Sequence, residues 1–404
     1  MAATNKALVK PPLLVWARQR AKVKPEDAAK AAGVTVERLA AWESPESDDG
    51  PTVSQLRQLA GKYHFPLAVF YLPEPPADFA PLRDFRRLPA AKDEAISPNL
   101  AFHIRGAYER RELALELYDE LRSQPERFPI KASVRDDPEK VGQAIRDFLQ
   151  VDDIRQRRAA SLDRIFDFWR RQIEERDILV FVIAGPHYAV ELKEMRGFAI
   201  AKPELPVIVV NGRDYSQGGK VFTLLHELAH IALGESAISN GTGEELSITR
   251  EEQRIERFCD AVAAAILMPR GLLLSLPEVA PTGEREWRDE TLRAIARSIG
   301  VSREALLIRF ITLKRATWDY YKTQRGRFEE EYREKAEAKE LEPKKSAPIK
   351  RSIMLMLGNG RGFTRLVLRS YYDQRITLND VSSYLGARVK HIPDLERAAF
   401  QRAE

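Results

Sequence analysis

The chain has 404 residues, a length that predicts more than one domain, because single hydrophobic cores rarely organise more than about 250–300 residues. Its 44% hydrophobic and 31% charged residues are typical of a soluble globular protein, and no run approaches the ~18 apolar residues of a membrane span. A single cysteine excludes an intrachain disulfide, and the amino terminus lacks the apolar core of a signal peptide. We therefore expect a cytoplasmic protein with no membrane association.

The first 76 residues contain several short predicted helices. Gly33 ends one of them at a C-cap position, and Thr35 caps the next, whose sequence is VERLAAWE. Two short helices joined by a glycine turn are typical of a helix-turn-helix. The proline-rich run PEPP at 73–76 then predicts a stiff, extended linker.

The middle of the chain predicts helices, then a small sheet, then helices again. Amphipathic patterns predict the first helices near 97–122, 136–149 and 160–176. Runs rich in β-branched residues predict strands at 177–183, 197–201 and 207–211. Helical patterns resume at 217–233, 249–268, 287–298 and 302–320. The fold class is therefore mainly α with a small β-sheet, an α+β protein.

The last part of the chain is charged and then basic. The stretch 325–347 indicates a helix tail that frays into a linker. Residues 341–404 contain 12 Lys/Arg against 6 Asp/Glu, a net charge of +6 (12 − 6), in what we predict to be a small helical unit. The predicted segments are a helix-turn-helix domain at 1–76, a helical connection at 77–150, a catalytic domain at 151–324, a linker at 325–347 and the basic unit at 348–404.

The strongest chemical signal is the sequence His226-Glu227-Leu228-Ala229-His230. Histidines at i and i+4 lie one turn apart on the same face of a helix, close enough to bind one cation. Glu227 projects beside them and can take a proton from a metal-activated water. The pattern predicts one Zn²⁺ per chain, held by His226 and His230, with Glu227 as the catalytic base.

Zinc needs a third protein ligand, and no other histidine follows at a suitable spacing. In the predicted helix 249–268, Glu256 lies on the apolar side, where an unpaired carboxylate is costly. That position favours Glu256 over Glu251 and Glu252 in the exposed first turn. Asp260, one turn after Glu256, shares its face and is an alternative ligand. Cys259 is interpreted as a buried thiol rather than a ligand or redox sensor.

The motif HELAH, followed by IERFCDAVAAAILMP, resembles the ImmA/IrrE family of metallo-endopeptidases. The resemblance implies zinc binding by His226, His230 and Glu256, with Glu227 as the general base. The family commonly has asparagine where this chain has Asp260, so the surroundings of the metal differ at that position. The resemblance is strongest over 177–270. It also implies a sheet whose edge strand holds an extended peptide substrate by main-chain pairing.

Residues 25–76 also resemble the Xre-type helix-turn-helix attached to many ImmA/IrrE proteins. DNA binding through this module would use Thr35 and Arg38, but Glu37 and Glu43 on the same helix oppose a phosphate backbone. Recognition of another protein is an equal alternative.

The resemblance to the ImmA/IrrE family implies cleavage of an intracellular protein, a helix-turn-helix repressor, in stress or mobile-element regulation. The alternative functions are a DNA-binding regulator or a toxin-antitoxin component with a non-catalytic zinc site.

Overall fold

The computed structural model describes residues 6–63, 65, 67–75, 83–84, 96–161, 164–185, 188–239, 250–341 and 351–400. Contacts divide the chain into two compact units. The first comprises residues 1–81, 91–108 and 186–190, and the second comprises residues 82–90, 109–185 and 191–404. The division into five segments stays a prediction, and in the structure the carboxyl-terminal helices belong to the second unit.

The first unit is a bundle of short helices around its own core. Gly33 has a left-handed backbone (φ 66°) that ends one helix, and the Thr35 hydroxyl accepts a hydrogen bond from the Arg38 amide, which caps the next. Both predicted caps are confirmed. The helices are α1 (Pro11–Arg20), α2 (Pro25–Ala32), α3 (Val36–Glu43), α4 (Val53–Tyr63), a 3₁₀ turn (Leu67–Tyr71) and the first part of α5 (Pro98–Glu120).

The second unit contains the remaining helices. In the part of the chain that the structure describes, none of them is long and apolar enough to cross a membrane. They are the rest of α5, α6 (Pro138–Leu149), α7 (Asp153–Ser161), α8 (Ile165–Glu174), α9 (Gln217–Leu233), α10 (Arg250–Leu267), α11 (Arg270–Leu274), α12 (Asp289–Ile299), α13 (Arg303–Thr312), α14 (Trp318–Leu341), α15 (Arg351–Asn359), α16 (Arg361–Tyr372), α17 (Leu378–Tyr384) and α18 (Ile392–Phe400).

One small sheet lies in the second unit, in the order β1-β5-β3-β4-β2. The central pair β3–β4 and the contact β3–β5 are antiparallel, whereas β2–β4 and β1–β5 are parallel. The three predicted strands are confirmed, and two short strands extend the sheet. The α+β class is confirmed. The strands are β1 (Arg83–Asp84), β2 (Leu179–Ile183), β3 (Gly197–Ile200), β4 (Val207–Asn211) and β5 (Ala237–Ser239).

The core of the second unit brings two helices together beneath this sheet. The apolar side of α9 packs on β3 and β4, and α10 packs against α9 and α6. The close approach of α6 to α10 depends on Gly142, because a Cβ atom there would lie 2.8 Å from the Cβ of Ala265. Apolar burial of this kind fixes the rotation of both helices and therefore the direction of their polar side chains.

Two predicted boundaries differ from the structure. The predicted helix 302–320 is interrupted between α13 and α14, where Lys314 has a positive φ of 56°. The charged stretch predicted as a linker continues α14 as far as Leu341, and residues 342–350 lie outside the described part of the chain. Ion pairs one turn apart, such as Arg325–Glu329, stabilise this helix although it has few apolar residues.

Candidate metal centre

The HELAH motif lies in the middle of α9, with regular helix on both sides. The Ser216 side chain caps the amino terminus, and Gly234 ends the helix in a left-handed conformation with φ 73°. His226, Glu227 and His230 are all buried, at 4%, 0% and 0% exposure. The predicted placement of all three side chains on one buried helix is confirmed.

Glu256 on α10 faces the two histidines. The Nε2 atoms of His226 and His230 are 3.1 Å apart. Oε2 of Glu256 lies 3.4 Å from Nε2 of His226, and Oε1 lies 3.1 Å from Nε2 of His230. Among the residues that the structure describes, this is the group of His, Cys, Asp and Glu side chains that could hold a metal ion.

The separations within this group fit a tetrahedral zinc site. Zinc binds imidazole nitrogen and carboxylate oxygen at about 2.0–2.2 Å, so neighbouring ligand atoms in a tetrahedron lie about 3.3 Å apart. The 3.1 Å between the two Nε2 atoms agrees with that value, and each Nε2 atom has one of the two Glu256 oxygens at a similar distance, 3.4 Å for Oε2 and 3.1 Å for Oε1. Two imidazole nitrogens and one carboxylate oxygen are also a donor set that zinc accepts while keeping a fourth position open.

The electrostatics of the group favour a cation. Burial acts to lower the pKa of His226, but the carboxylates of Glu256 and Asp260 outweigh it and raise that pKa well above its usual value. Burial acts to raise the pKa of Glu256, but the two histidines outweigh it and hold that pKa far below its usual range. The Glu256 carboxylate is therefore ionised, and together with Asp260 it stabilises positive charge on the His226 imidazole.

The strand β3 contacts the proposed base directly. A Cβ atom at Gly197 would lie 2.7 Å from Oε1 of Glu227 and 2.7 Å from Cγ2 of Thr223. At such distances a larger residue would force the side chains of Glu227 and Thr223 to shift, so glycine lets β3 approach α9 this closely without displacing them. This contact is not among the sequence predictions, although an isolated glycine within a strand pattern is a signal of close backbone approach.

Asp260 contacts His226 on the side away from the cluster. Its Oδ1 atom lies 2.9 Å from Nδ1 of His226, and its side chain is 52% exposed.

Cys259 is fully buried, and burial, reinforced by nearby carboxylates, raises the pKa of its thiol well above the usual value. The structure is therefore consistent with the interpretation of Cys259 as an inert thiol.

The strand next to the motif is an inner strand of the sheet, and substrate pairing at an edge strand stays a prediction. The strand that contacts Glu227, β3, pairs with β4 on one side and with β5 on the other. Gly197 is in register with Ser239 of β5. The chain turns back after α9 and adds β5, which the sequence analysis could not predict because three residues give no periodic signal.

The two predicted DNA-binding residues have local roles in the first unit. Thr35 caps α3 through its hydroxyl group. The Nε atom of Arg38 donates a hydrogen bond to Asp49 at 3.1 Å, and its guanidinium lies 5.7 Å from the centroid of the Trp42 ring. The same carboxylate accepts from the Trp42 indole at 3.1 Å. DNA binding through these two residues stays a prediction.

Residues 173–310 match the family model described as the IrrE N-terminal-like domain. This segment belongs to the ImmA/IrrE family. It runs from α8 to α13 and includes Gly197, both histidines of the motif and Glu256. The resemblance inferred from HELAH and the following helix is therefore confirmed for the ImmA/IrrE segment.

Similar proteins include the radiation response metalloprotease IrrE of Deinococcus deserti and that of Deinococcus radiodurans. The first is 35% identical over 107 residues, which cover 26% of this chain and 36% of the relative. The second is 37% identical over 83 residues, which cover 20% of this chain and 25% of the relative. The chain thus matches only about a third and a quarter of the length of these ImmA/IrrE relatives.

Proposed function

We propose that this protein is a zinc-dependent endopeptidase. The observation that carries the proposal is the cluster of two imidazole nitrogens from α9 and the Glu256 carboxylate from α10, within 4.8 Å of one another, beside Glu227 on α9. A purely structural zinc site needs no neighbouring base. Membership of the ImmA/IrrE family supports the proposal, as do the relatives that are named metalloproteases.

His226, His230 and Glu256 would hold the zinc ion, which when bound supplies Lewis-acid polarisation to a water molecule and a peptide carbonyl. Glu227 takes the proton from the attacking water and delivers it to the nitrogen of the departing peptide. Its carboxylate is fully buried and lies against the backbone of Gly197. Contact with the strand limits the rotation of the base and so orients its proton transfer.

The substrate is a protein of the cytoplasm, and the family resemblance implies a helix-turn-helix repressor. The two Deinococcus relatives are named radiation response metalloproteases, and these names support a role in stress regulation. The alternative, a DNA-binding regulator, is less well supported by the first unit, because Asp49 engages the guanidinium of Arg38. A gel-shift assay with wild-type protein and Arg38→Ala would favour the alternative if binding is sequence-specific and lost in the variant.

The central experiment compares wild-type protein, Glu227→Gln and Glu251→Gln. Purified repressors encoded near the gene serve as substrates, and mass spectrometry detects cleavage. Glu227→Gln removes the base but keeps the size of the side chain, so cleavage should fall by roughly 10²-fold or more. Zinc content should remain near one per chain in all three proteins. Glu251, exposed at the start of α10, is the matched control. Undiminished cleavage by Glu227→Gln would contradict the proposal.

A further inference from the structure

The ring of His226 has a different partner at each nitrogen. Its Nε2 atom faces His230 and Glu256, at 3.1 and 3.4 Å. Its Nδ1 atom lies 2.9 Å from Oδ1 of Asp260, which is on α10 one turn after Glu256. Asp260 and Glu256 therefore hold the same imidazole from two sides.

The geometry of the imidazole separates the roles of these two carboxylates. The lone-pair directions of the two ring nitrogens diverge across a rigid, planar ring, so a group bound at Nδ1 is directed away from a metal bound at Nε2. The metal-binding group accordingly contains His226, His230 and Glu256 but not Asp260. The exposure of the two side chains also differs, at 52% for Asp260 and 20% for Glu256.

A carboxylate at Nδ1 determines which nitrogen carries the proton. In neutral imidazole one nitrogen donates a hydrogen bond and the other accepts. If Nδ1–H donates to Asp260, the lone pair of Nε2 is left for the metal. The hydrogen bond also restricts rotation of the ring and increases its basicity as a ligand. Phe222, whose ring centroid is 6.5 Å from that of His226, offers no competing polar partner.

We propose that Asp260 is a positioning residue for the metal: it fixes the tautomer and orientation of His226 without binding zinc itself. This inference rests on the proposed zinc site but not on peptidase activity. The carboxylate of Asp260 gives His226 a charged acceptor instead of the neutral one that an asparagine would offer. A charged acceptor makes the stronger hydrogen bond.

The test measures zinc affinity by chelator competition for Asp260→Ala and Asp260→Asn, with Glu251→Ala and Glu251→Gln as matched controls on the exposed first turn of α10. Asp260→Ala should weaken zinc binding about 10–100-fold. Asp260→Asn keeps an acceptor oxygen, so its affinity should fall between those of the wild type and Asp260→Ala. The two controls should bind zinc like the wild type.

The visible absorption spectrum of the cobalt(II)-loaded proteins distinguishes positioning from ligation. Loss of a ligand changes coordination geometry and therefore the spectrum, whereas loss of a positioning residue lowers affinity but keeps the spectrum at saturating metal. Asp260→Asn should retain the wild-type spectrum. A changed spectrum would make Asp260 a ligand and overturn the proposal, as would zinc affinity of Asp260→Ala within twofold of the wild type.

Circular dichroism and thermal unfolding of the metal-free proteins check that the variants fold. If Asp260→Ala does not fold, the zinc affinities of Asp260→Asn and Glu251→Gln are compared instead. Equal affinities of those two variants would overturn the proposal. Failure of the peptidase assay with intact zinc binding would contradict the proposed function alone. The two hypotheses can therefore fail separately.

Discussion

Gly197 on β3 lies directly against the carboxylate of Glu227 on α9, so close that a Cβ atom at residue 197 would lie 2.7 Å from Oε1 of Glu227. Its φ is not in the left-handed region, so alanine is compatible with the backbone and Gly197→Ala tests the steric contact alone. The added methyl group should displace the Glu227 carboxylate. Because a displacement of about 1 Å of a catalytic group can lower the rate about 10²-fold, kcat should fall by up to that factor.

The matched control is Gly271→Ala, because a Cβ atom at Gly271 would meet nothing within 4 Å. Zinc content should stay near one per chain in both variants. Equal kcat values for Gly197→Ala and the wild type would show that Glu227 tolerates displacement or is not the base.

Replacement of Glu256 by glutamine should weaken zinc binding sharply. A neutral amide replaces an anionic carboxylate whose two oxygens lie 3.4 Å from Nε2 of His226 and 3.1 Å from Nε2 of His230. Chelator competition measures the loss, with Glu251→Gln and Glu252→Gln as controls from the first turn of the same helix. Wild-type affinity in Glu256→Gln would remove Glu256 from the set of ligands.

Zinc uptake should release a proton at a pH just above about 6.5. The pKa of His226 in the metal-free protein is raised well above its usual value of about 6.5. In the pH range between the usual and the raised pKa, the imidazole is therefore still protonated. Zinc requires neutral imidazole, and its affinity should therefore keep rising with pH through this window. Calorimetry in buffers of different ionisation enthalpy measures the released proton. Buffer-independent heats just above about pH 6.5 would contradict this assignment.

The carboxyl-terminal helices should stabilise the second unit through Arg170. Its Nη2 atom donates to the carbonyl oxygens of Val180 on β2 and of Met356 and Leu357 on α15, at 2.9–3.3 Å. The side chains of Arg170 and Glu174 are only 5% and 3% exposed and 3.5 Å apart. Arg170→Met should therefore lower the free energy of unfolding by about 3–5 kcal/mol, because it leaves a buried carboxylate without its cation.

Urea denaturation measures this change. Arg397→Met is the control, because Arg397 pairs with Asp394 at 73% exposure and an exposed pair contributes about 0–1 kcal/mol. Similar stability of the two variants would show that Arg170 does not hold α15 on the sheet.

The sequence predicted the parts of this protein that depend on local pattern. Strands β2 to β4 follow from runs of β-branched residues, and His226, Glu227 and His230 follow from helical spacing. Glu256 followed from its phase on an amphipathic helix. The contact of Asp260 with His226 and the close approach of Gly197 depend on how separate elements meet. Spacing within one element contains no information about such contacts.

The docking of α15 on the sheet affects association between molecules. The outermost strand, β2, would present unpaired main-chain groups, a template on which strands of other molecules can pair. Here the carbonyl oxygen of Val180 accepts from Arg170, and a Cβ atom at Gly360 would lie 2.7 Å from that oxygen. The space that an added strand would need is therefore filled, and this side of the sheet is protected against edge-to-edge aggregation.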